Sequence, residues 1–181
     1  MFNEPQGIAV AKNSVIYVAD SKNGAIRKIE NGTVSTIVRG LKLPTGLVIG
    51  NQGELYVSET LNHRIIKITN EKDVTVVAGS TNSGLRDGTG TNARFNEPTG
   101  LAIGKNGTLY VADSANQRIR SVTTQGIVKT IVGSGSERLE GTNYIVGGYV
   151  DGKGQQAKFN FPQGIEVAAD GTIYVADTLN H

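Results

Sequence analysis

"IYVAD" at Ile16–Asp20 returns three times along the chain, as LYVSE at 55–59, LYVAD at 109–113 and IYVAD at 173–177. Apolar residues occupy both faces of each copy, whereas a strand with one face in water alternates apolar and polar residues. The sequence around the copies offers no helices that could cover the second face. A strand of this kind must therefore lie between copies of itself.

Each copy belongs to a longer repeat that begins with Pro-x-Gly, and the four repeats start at Pro5, Pro44, Pro98 and Pro162. A first apolar strand follows the proline, and a turn such as Asn-Gly at 106–107 leads into the IYVAD-type strand. A third strand such as RIIKI (64–68) and a fourth such as VTVVAG (74–79) complete the unit. Self-similarity over this length predicts one four-stranded antiparallel meander per repeat.

Such meanders form either the flat sheets of a sandwich or the blades of a β-propeller, and burial on both faces favours the propeller. We predict an all-β chain with one β-propeller domain, made of three full blades and half of a fourth. The predicted bounds are 2–42 for blade 1, 43–94 for blade 2, 95–158 for blade 3 and 159–181 for the half blade.

Three and a half blades cannot close a ring without exposing large apolar faces and unpaired edges. We therefore expect the chain to be a fragment of a longer propeller, whose missing sequence supplies the rest. Self-assembly of copies into a ring is the weaker alternative, because the N-terminus of a second copy begins with a first strand and does not supply the missing third and fourth.

The recurring pattern of apolar-Tyr-Val-Ala-Asp-Ser/Thr-x-Asn-His/Gln-Arg-Ile resembles the NHL repeat, whose naming residues include Leu61–His63. The resemblance covers almost the whole chain and implies a propeller usually of six blades. Repeat one departs from it, with Gly24-Ala25 where His63-Arg64 stands later. The spacers and the YVADTLNH units are most similar to repeats of secreted or surface-anchored bacterial proteins. That resemblance implies an extracellular or cell-envelope location in a bacterium.

The composition limits the possible partners. The formal net charge is +2 and no run of Lys or Arg exceeds two residues, which disfavours nucleic acid and anionic membranes as partners. The absence of cysteine excludes disulfides and thiolate metal sites. No apolar run is long enough to span a membrane, and the N-terminal segment lacks the regions of a signal peptide.

An acid ends every IYVAD-type strand, and the four are Asp20, Glu59, Asp113 and Asp177. A ring of acids could gather a cation, but repetition in every blade favours a structural role as hydrogen-bond acceptors for the following turn. We also expect arginines five residues on to pair with them, joining Glu59 to Arg64 and Asp113 to Arg118. Asp20 has Ala25 at that place and is predicted to lack such a partner.

The candidate metal ligands are the histidines and the acids before proline. His63 and its copy His181 are two blades apart, so a turn role is favoured over metal binding. Glu4 and Glu97 precede prolines where related metal-dependent lactonases carry ligands, yet solvated rim residues are the favoured interpretation. We predict no catalytic residue, no metal and no cofactor.

Two Gly-rich spacers, 84–95 and 147–159, share Asp-Gly-x-Gly and Ala-x-Phe, and each phenylalanine is expected to fill the core between blades. The non-repeating loop is 134–150. Its Tyr144, Tyr149 and Arg138 suit contact with a protein or carbohydrate, although they could equally form a small satellite core.

These observations, with the resemblance, favour a non-enzymatic interaction scaffold that binds a protein or glycan partner through inter-blade loops. The alternative is a metal-dependent lactonase-like or lyase-like enzyme with a site in the central channel. It is disfavoured because the candidate ligands recur with the repeat, whereas catalytic residues should break the pattern. Single-stranded RNA binding, known for some animal NHL propellers, needs a basic face that the scattered charges do not provide.

Overall fold

The computed structural model describes all 181 residues and contains four antiparallel β-sheets, of which the first two are meanders of four consecutive strands. Sheet 1 consists of β1 (Pro5–Val10), β2 (Ile16–Asp20), β3 (Ala25–Glu30) and β4 (Thr33–Arg39). Sheet 2 consists of β5 (Pro44–Ile49), β6 (Leu55–Glu59), β7 (Arg64–Thr69) and β8 (Asp73–Gly79).

Sheet 3 has a fifth strand, because a piece of the preceding spacer pairs with its outer edge. Its strands are β9 (Gly88–Thr89), β10 (Pro98–Ile103), β11 (Leu109–Asp113), β12 (Arg118–Val122) and β13 (Ile127–Val132). Sheet 4 holds only β14 (Pro162–Val167) and β15 (Ile173–Asp177). One-turn 3₁₀ helices lie at Ser21–Asn23, Thr60–Asn62, Gly90–Asn92, Ser114–Asn116, Gly154–Gln156 and Thr178–Asn180.

The sheets stack face to face with their first strands innermost, as in a propeller. β5 contacts β1 on one side and β10 on the other, and β10 in turn contacts β14. These four strands line a central cavity of about 560 Å³. The predicted fold class, three four-stranded blades and half of a fourth, is confirmed.

Apolar side chains fill the space between the sheets on both faces of β6 and β11, the IYVAD-type strands of the two internal sheets, as predicted, whereas Tyr174 of β15 in the half blade is 63% exposed. Leu55 and Val57 of β6 point into the core shared with sheet 1, while Tyr56 packs against the core shared with sheet 3. In β11, Val111 and Ala112 are both fully buried. Of the two spacer phenylalanines expected to fill the core, Phe95 is fully buried between sheets 2 and 3, whereas Phe159 is only partly buried and belongs to neither core cluster.

The Pro-x-Gly and Ser/Thr positions of the repeat form the seam between adjacent sheets. The hydroxyl that follows each strand-ending acid donates to the carbonyl of the next repeat's proline. These bonds join Ser21 to Pro44 (2.6 Å), Thr60 to Pro98 (2.8 Å) and Ser114 to Pro162 (2.6 Å).

The glycine of each repeat lies directly against the backbone of the next sheet. A Cβ at Gly7, Gly46 or Gly100 would collide with the carbonyl oxygen of Thr45, Thr99 or Gln163 respectively. Glycine is therefore present in the Pro-x-Gly motif because the innermost strands approach one another too closely for a side chain.

This contact predicts a large difference between equivalent glycines. Gly100→Ala should lower the free energy of unfolding by about 3 kcal/mol or more, since the obstacle is backbone that cannot rotate away. Gly164→Ala is the matched control in this chain, because its Cβ would meet only the Ala176 side chain. Urea unfolding measures both, and equal losses would show that the seam does not require glycine.

Candidate functional site

The four repeat acids organise the end of each sheet where the inter-sheet seam lies. One oxygen of each accepts the N–H of the residue two before the repeat proline, at 2.7–2.8 Å; the donors are Asn3, Lys42, Asn96 and Asn160. Each acid also accepts from the asparagine side chain three residues on, at 2.6–2.9 Å; the donors are Asn23, Asn62, Asn116 and Asn180. The predicted hydrogen bonds to the following turn are thus present in all four repeats.

The arginine partners of the acids only partly follow the prediction. Glu59 pairs with Arg64 at 2.6 Å, as expected. The predicted Asp113–Arg118 pair is wrong, because Asp113 pairs with Arg120 at 2.6 Å. Arg118 instead donates to the carbonyls of Asn116 and Gly135.

Asp20 also has an arginine, contrary to the prediction, since Arg27 donates to it at 2.9 Å. Ala25 lies directly opposite Asp20 in the ladder, and Arg27 lies two residues further along on the same face of β3. Burial opposes ionisation of Asp20, but hydrogen bonds from Asn23, Asn3 and Arg27 lower the pKa of its carboxyl below the usual value.

Arg120 is fully buried and ties the spacer to sheet 3. Arg120 also pairs with Asp87 at 2.7 Å, and its guanidinium lies 5.2 Å from the centre of the Phe95 ring. Arg27 makes the equivalent contact in sheet 1, 5.1 Å from the centre of the Phe2 ring. Asp87 also accepts the backbone N–H and the hydroxyl of Thr130. The one acid of this Gly-rich spacer is therefore committed to internal contacts.

The junction before sheet 2 is filled by different residues from those at the junction before sheet 3. It follows a short link rather than a spacer, and Leu41 stands where Phe95 stands before sheet 3. Ile66 occupies the ladder position of Arg120, since each faces the equivalent residue of the fourth strand. The longer Glu59 side chain then uses Arg64, the nearer arginine.

The two arrangements predict a rescue. Arg120→Ile should lower the free energy of unfolding by about 3–5 kcal/mol, because Asp113 is left buried without its cation. Adding Asp113→Glu should recover a large part of the loss, since Arg118 stands where Arg64 stands beside Glu59. Asp113→Glu alone is the control, measured by the same urea denaturation. A double variant as unstable as Arg120→Ile would contradict the equivalence of the two sets.

The motif His and Gln side chains bond across the junction between sheets. His63 Nδ1 accepts the N–H of Glu97 at 3.1 Å, and Gln117 Oε1 accepts the N–H of Phe161 at 2.5 Å. The residues receiving this support have positive φ (50° and 58°) directly before proline, a conformation costly for a side-chain-bearing residue. Gly24 cannot act likewise, because the Leu41 carbonyl of the short link occupies the space of a Cβ.

The burial of His63 at this junction makes stability depend on pH. Burial lowers the pKa of His63, an effect that Glu97 opposes, so the folded state binds a proton less readily than the unfolded state. Stability should fall as pH decreases below the ordinary histidine value of about 6.5. His63→Gln, which copies Gln117, should reduce that loss between pH 7 and pH 5.5, measured by thermal unfolding. Identical slopes in the two proteins would contradict the lowered pKa of His63.

The non-repeating loop 134–150 packs against the residues that precede the repeat prolines. Ile145 is buried, and its N–H donates to the Ala115 carbonyl at 2.9 Å. The Tyr144 hydroxyl donates to Glu97 Oε1 at 2.6 Å, and its ring meets that of Phe161 edge-on. The Glu97 hydrogen bond, followed by burial, raises the pKa of Tyr144. Part of the loop is thus a satellite core, the second of the two roles considered for it.

The three candidate binding residues fall into two groups. Arg138 and Tyr144 lie on paired segments of the loop, and Arg138 donates to the Asn143 carbonyl. Tyr149 lies beyond them, beside the bridge between Val150 and Lys158, and is 75% exposed. Sequence reasoning missed the link from Tyr144 to Glu97, which joins residues 47 apart.

The candidate metal ligands are engaged elsewhere. Glu4 pairs with Lys22, and Glu97 accepts a hydrogen bond from the Tyr144 hydroxyl. The structure contains no group of three or more His, Asp or Glu residues spaced to hold a metal. None of its helices is long and apolar enough to cross a bilayer.

Comparison with known proteins connects this architecture to a family. A family model described as the teneurin NHL domain matches residues 47–145, and one described as the NHL repeat matches residues 2–29. NHL repeat-containing protein 2 of Gallus gallus is 31% identical over 224 aligned positions, which include 99% of this chain and 30% of that protein. The chain therefore spans less than a third of the length of that relative.

Two solved structures share the fold at low identity. An auxiliary nutrient binding protein from Bacteroides thetaiotaomicron superposes with a TM-score of 0.79 and 23% identity, over 96% of this chain and 45% of that one. Virginiamycin B lyase from Staphylococcus aureus superposes with a TM-score of 0.68 and 14% identity, over 99% and 52%. At these identities the likeness concerns the fold alone. The nutrient binding protein and the lyase share that fold although one is a binding protein and the other an enzyme.

Proposed function

Because the chain belongs to the NHL-repeat β-propeller family, we propose that it is a non-enzymatic interaction scaffold that binds a protein or glycan partner. The observation that carries the proposal is the loop 134–150. It is the one segment that no other repeat contains, and it presents exposed apolar and aromatic side chains. The exposed large residues of this loop are Leu139, Val146, Tyr149 and Val150.

The loop is held in place before any partner arrives. Gln117 donates from Nε2 to the Ile145 carbonyl at 2.8 Å, and Arg118 donates to the Gly135 carbonyl. Asn96 donates to the Asn143 carbonyl at 2.7 Å. A surface that is already ordered loses little conformational entropy when it binds, so its contacts contribute more fully to affinity.

The chemistry of the loop suits recognition by contact rather than catalysis. Tyr149 is a large amphipathic side chain, and Arg138 and Tyr144 add a cation and a second ring; such residues are enriched at binding hot spots. The repeat acids, by contrast, are all committed to internal hydrogen bonds. The resemblance of the YVADTLNH units to repeats of secreted or surface-anchored bacterial proteins supports an extracellular or envelope location in a bacterium.

Removal of the exposed loop contacts tests the proposal. Tyr149→Ala combined with Leu139→Ser should weaken partner binding at least about tenfold, because two exposed anchors are lost without touching the buried part of the loop. Binding is measured on a glycan array and by quantitative crosslinking to cell-surface extracts.

Ile131→Ser, which removes a partly exposed apolar residue of β13 outside the loop, is the matched control. It should bind like the unaltered protein. Equal binding by the loop variant and the unaltered protein would contradict the proposal.

A further inference from the structure

The chain itself shows that the outer edge of a sheet accepts an added strand. β9 pairs antiparallel with the start of β13, with Thr89 opposite Ile127 and Gly88 opposite Val128. Val128 is only 1% exposed beneath the spacer that carries β9. An extended segment is thus the natural cover for this edge.

The same edge in sheet 2 has no added strand. Val74 is equivalent to Val128, because Val74 lies opposite Ile68 in sheet 2 and Val128 lies opposite Val122 in sheet 3. Val74 is 41% exposed. The short link 40–43 before β5 contains no strand to pair with β8. The 3₁₀ helix Gly90–Asn92 packs against β8, but its first N–H donates to the Gly126 carbonyl and not to β8.

The direction in which the backbone N–H groups of β8 point follows from the equivalent strand of sheet 3. The Thr130 N–H points away from β12, because it donates to Asp87 in the spacer at 3.2 Å. Val76 holds the position of Thr130, so its N–H points outward from β8 as well. Val74, two residues earlier, presents the same group about 7 Å away. In sheet 2, no side chain accepts the Val76 N–H in the way that Asp87 accepts the Thr130 N–H in sheet 3.

We propose that the β8 edge from Asp73 to Val76 binds an extended segment of a partner polypeptide by strand addition. Val74 and Val76 project on one side of the strand, both about 40% exposed, and offer apolar contacts to alternate residues of the added strand. On the other side, a cavity of about 240 Å³ between β8 and the turn 123–126 accepts a side chain. This surface is separate from the loop 134–150.

β4 has a similar edge but recognises the segment less well. Val34 is 42% exposed, yet Thr36 replaces the second valine, so that edge offers one apolar contact instead of two. Along β8 the devices that oppose strand pairing are Asp73 at its start and a register shift after Val76, so they flank the exposed valines and do not interrupt them.

Hydrogen exchange with a defined probe tests the inference. The probe is a capped peptide of about seven residues, with alternating threonine and valine between terminal lysines. At saturation, the Val74 and Val76 amides of the full chain should exchange about tenfold more slowly. Val76→Pro removes one outward N–H without touching the β7–β8 ladder, and it should weaken peptide binding about tenfold in fluorescence anisotropy.

Thr36→Pro is the matched control, because it removes the equivalent N–H from β4. It should leave the protection of Val74 and Val76 unchanged, and the measurement on the unaltered protein decides the matter if the proline variants fold poorly. Protection confined to other strands, or no protection at all, would overturn the proposal. Protection that grows with protein concentration without peptide would also overturn it, since self-pairing would then occupy the edge.

Discussion

The close approach of the innermost strands of neighbouring sheets is the constraint on which the rest of the structure depends. Glycine is required where one strand meets the carbonyl oxygens of the next, and the Ser/Thr hydroxyl bonds to the next proline carbonyl at the same seam. Sheets held this closely bury both faces of their second strands. The apolar IYVAD-type segments are a consequence of that stacking, because neither face meets water where a sheet lies between two others.

Further from the axis, the junctions between sheets are filled in two alternative ways. Before sheet 3, a long spacer brings Phe95 and Asp87, and a buried arginine bridges the spacer to the repeat acid. Before sheet 2, a short link brings Leu41, and Ile66 replaces the arginine. Each set satisfies its own charges, so a residue from one set placed in the other leaves a buried group unpaired. The irregular positions of the repeat therefore vary together.

Binding surfaces arise where the stacking leaves segments free. The loop 134–150 is anchored to the rim through Ile145 and Tyr144, and its remaining residues are available to a partner. The outer edge of sheet 2 is open because the link before it is short. In both places the repeating core provides rigidity, while the length of an inter-sheet segment decides what is exposed.

The sequence by itself determined the strands, the meander, the stacking of like sheets and the filling role of Phe95, because these depend on local apolar patterning that recurs four times. Only the tertiary structure decided which arginine meets each acid. Arg118 and Arg120 lie on the same face of one strand, and the choice between them depends on a spacer more than twenty residues earlier. The pairing of β9 and the bond from His63 to Glu97 likewise join residues distant in the chain. Periodicity cannot reveal such contacts, because it reports which face a residue occupies and not which neighbour it meets there.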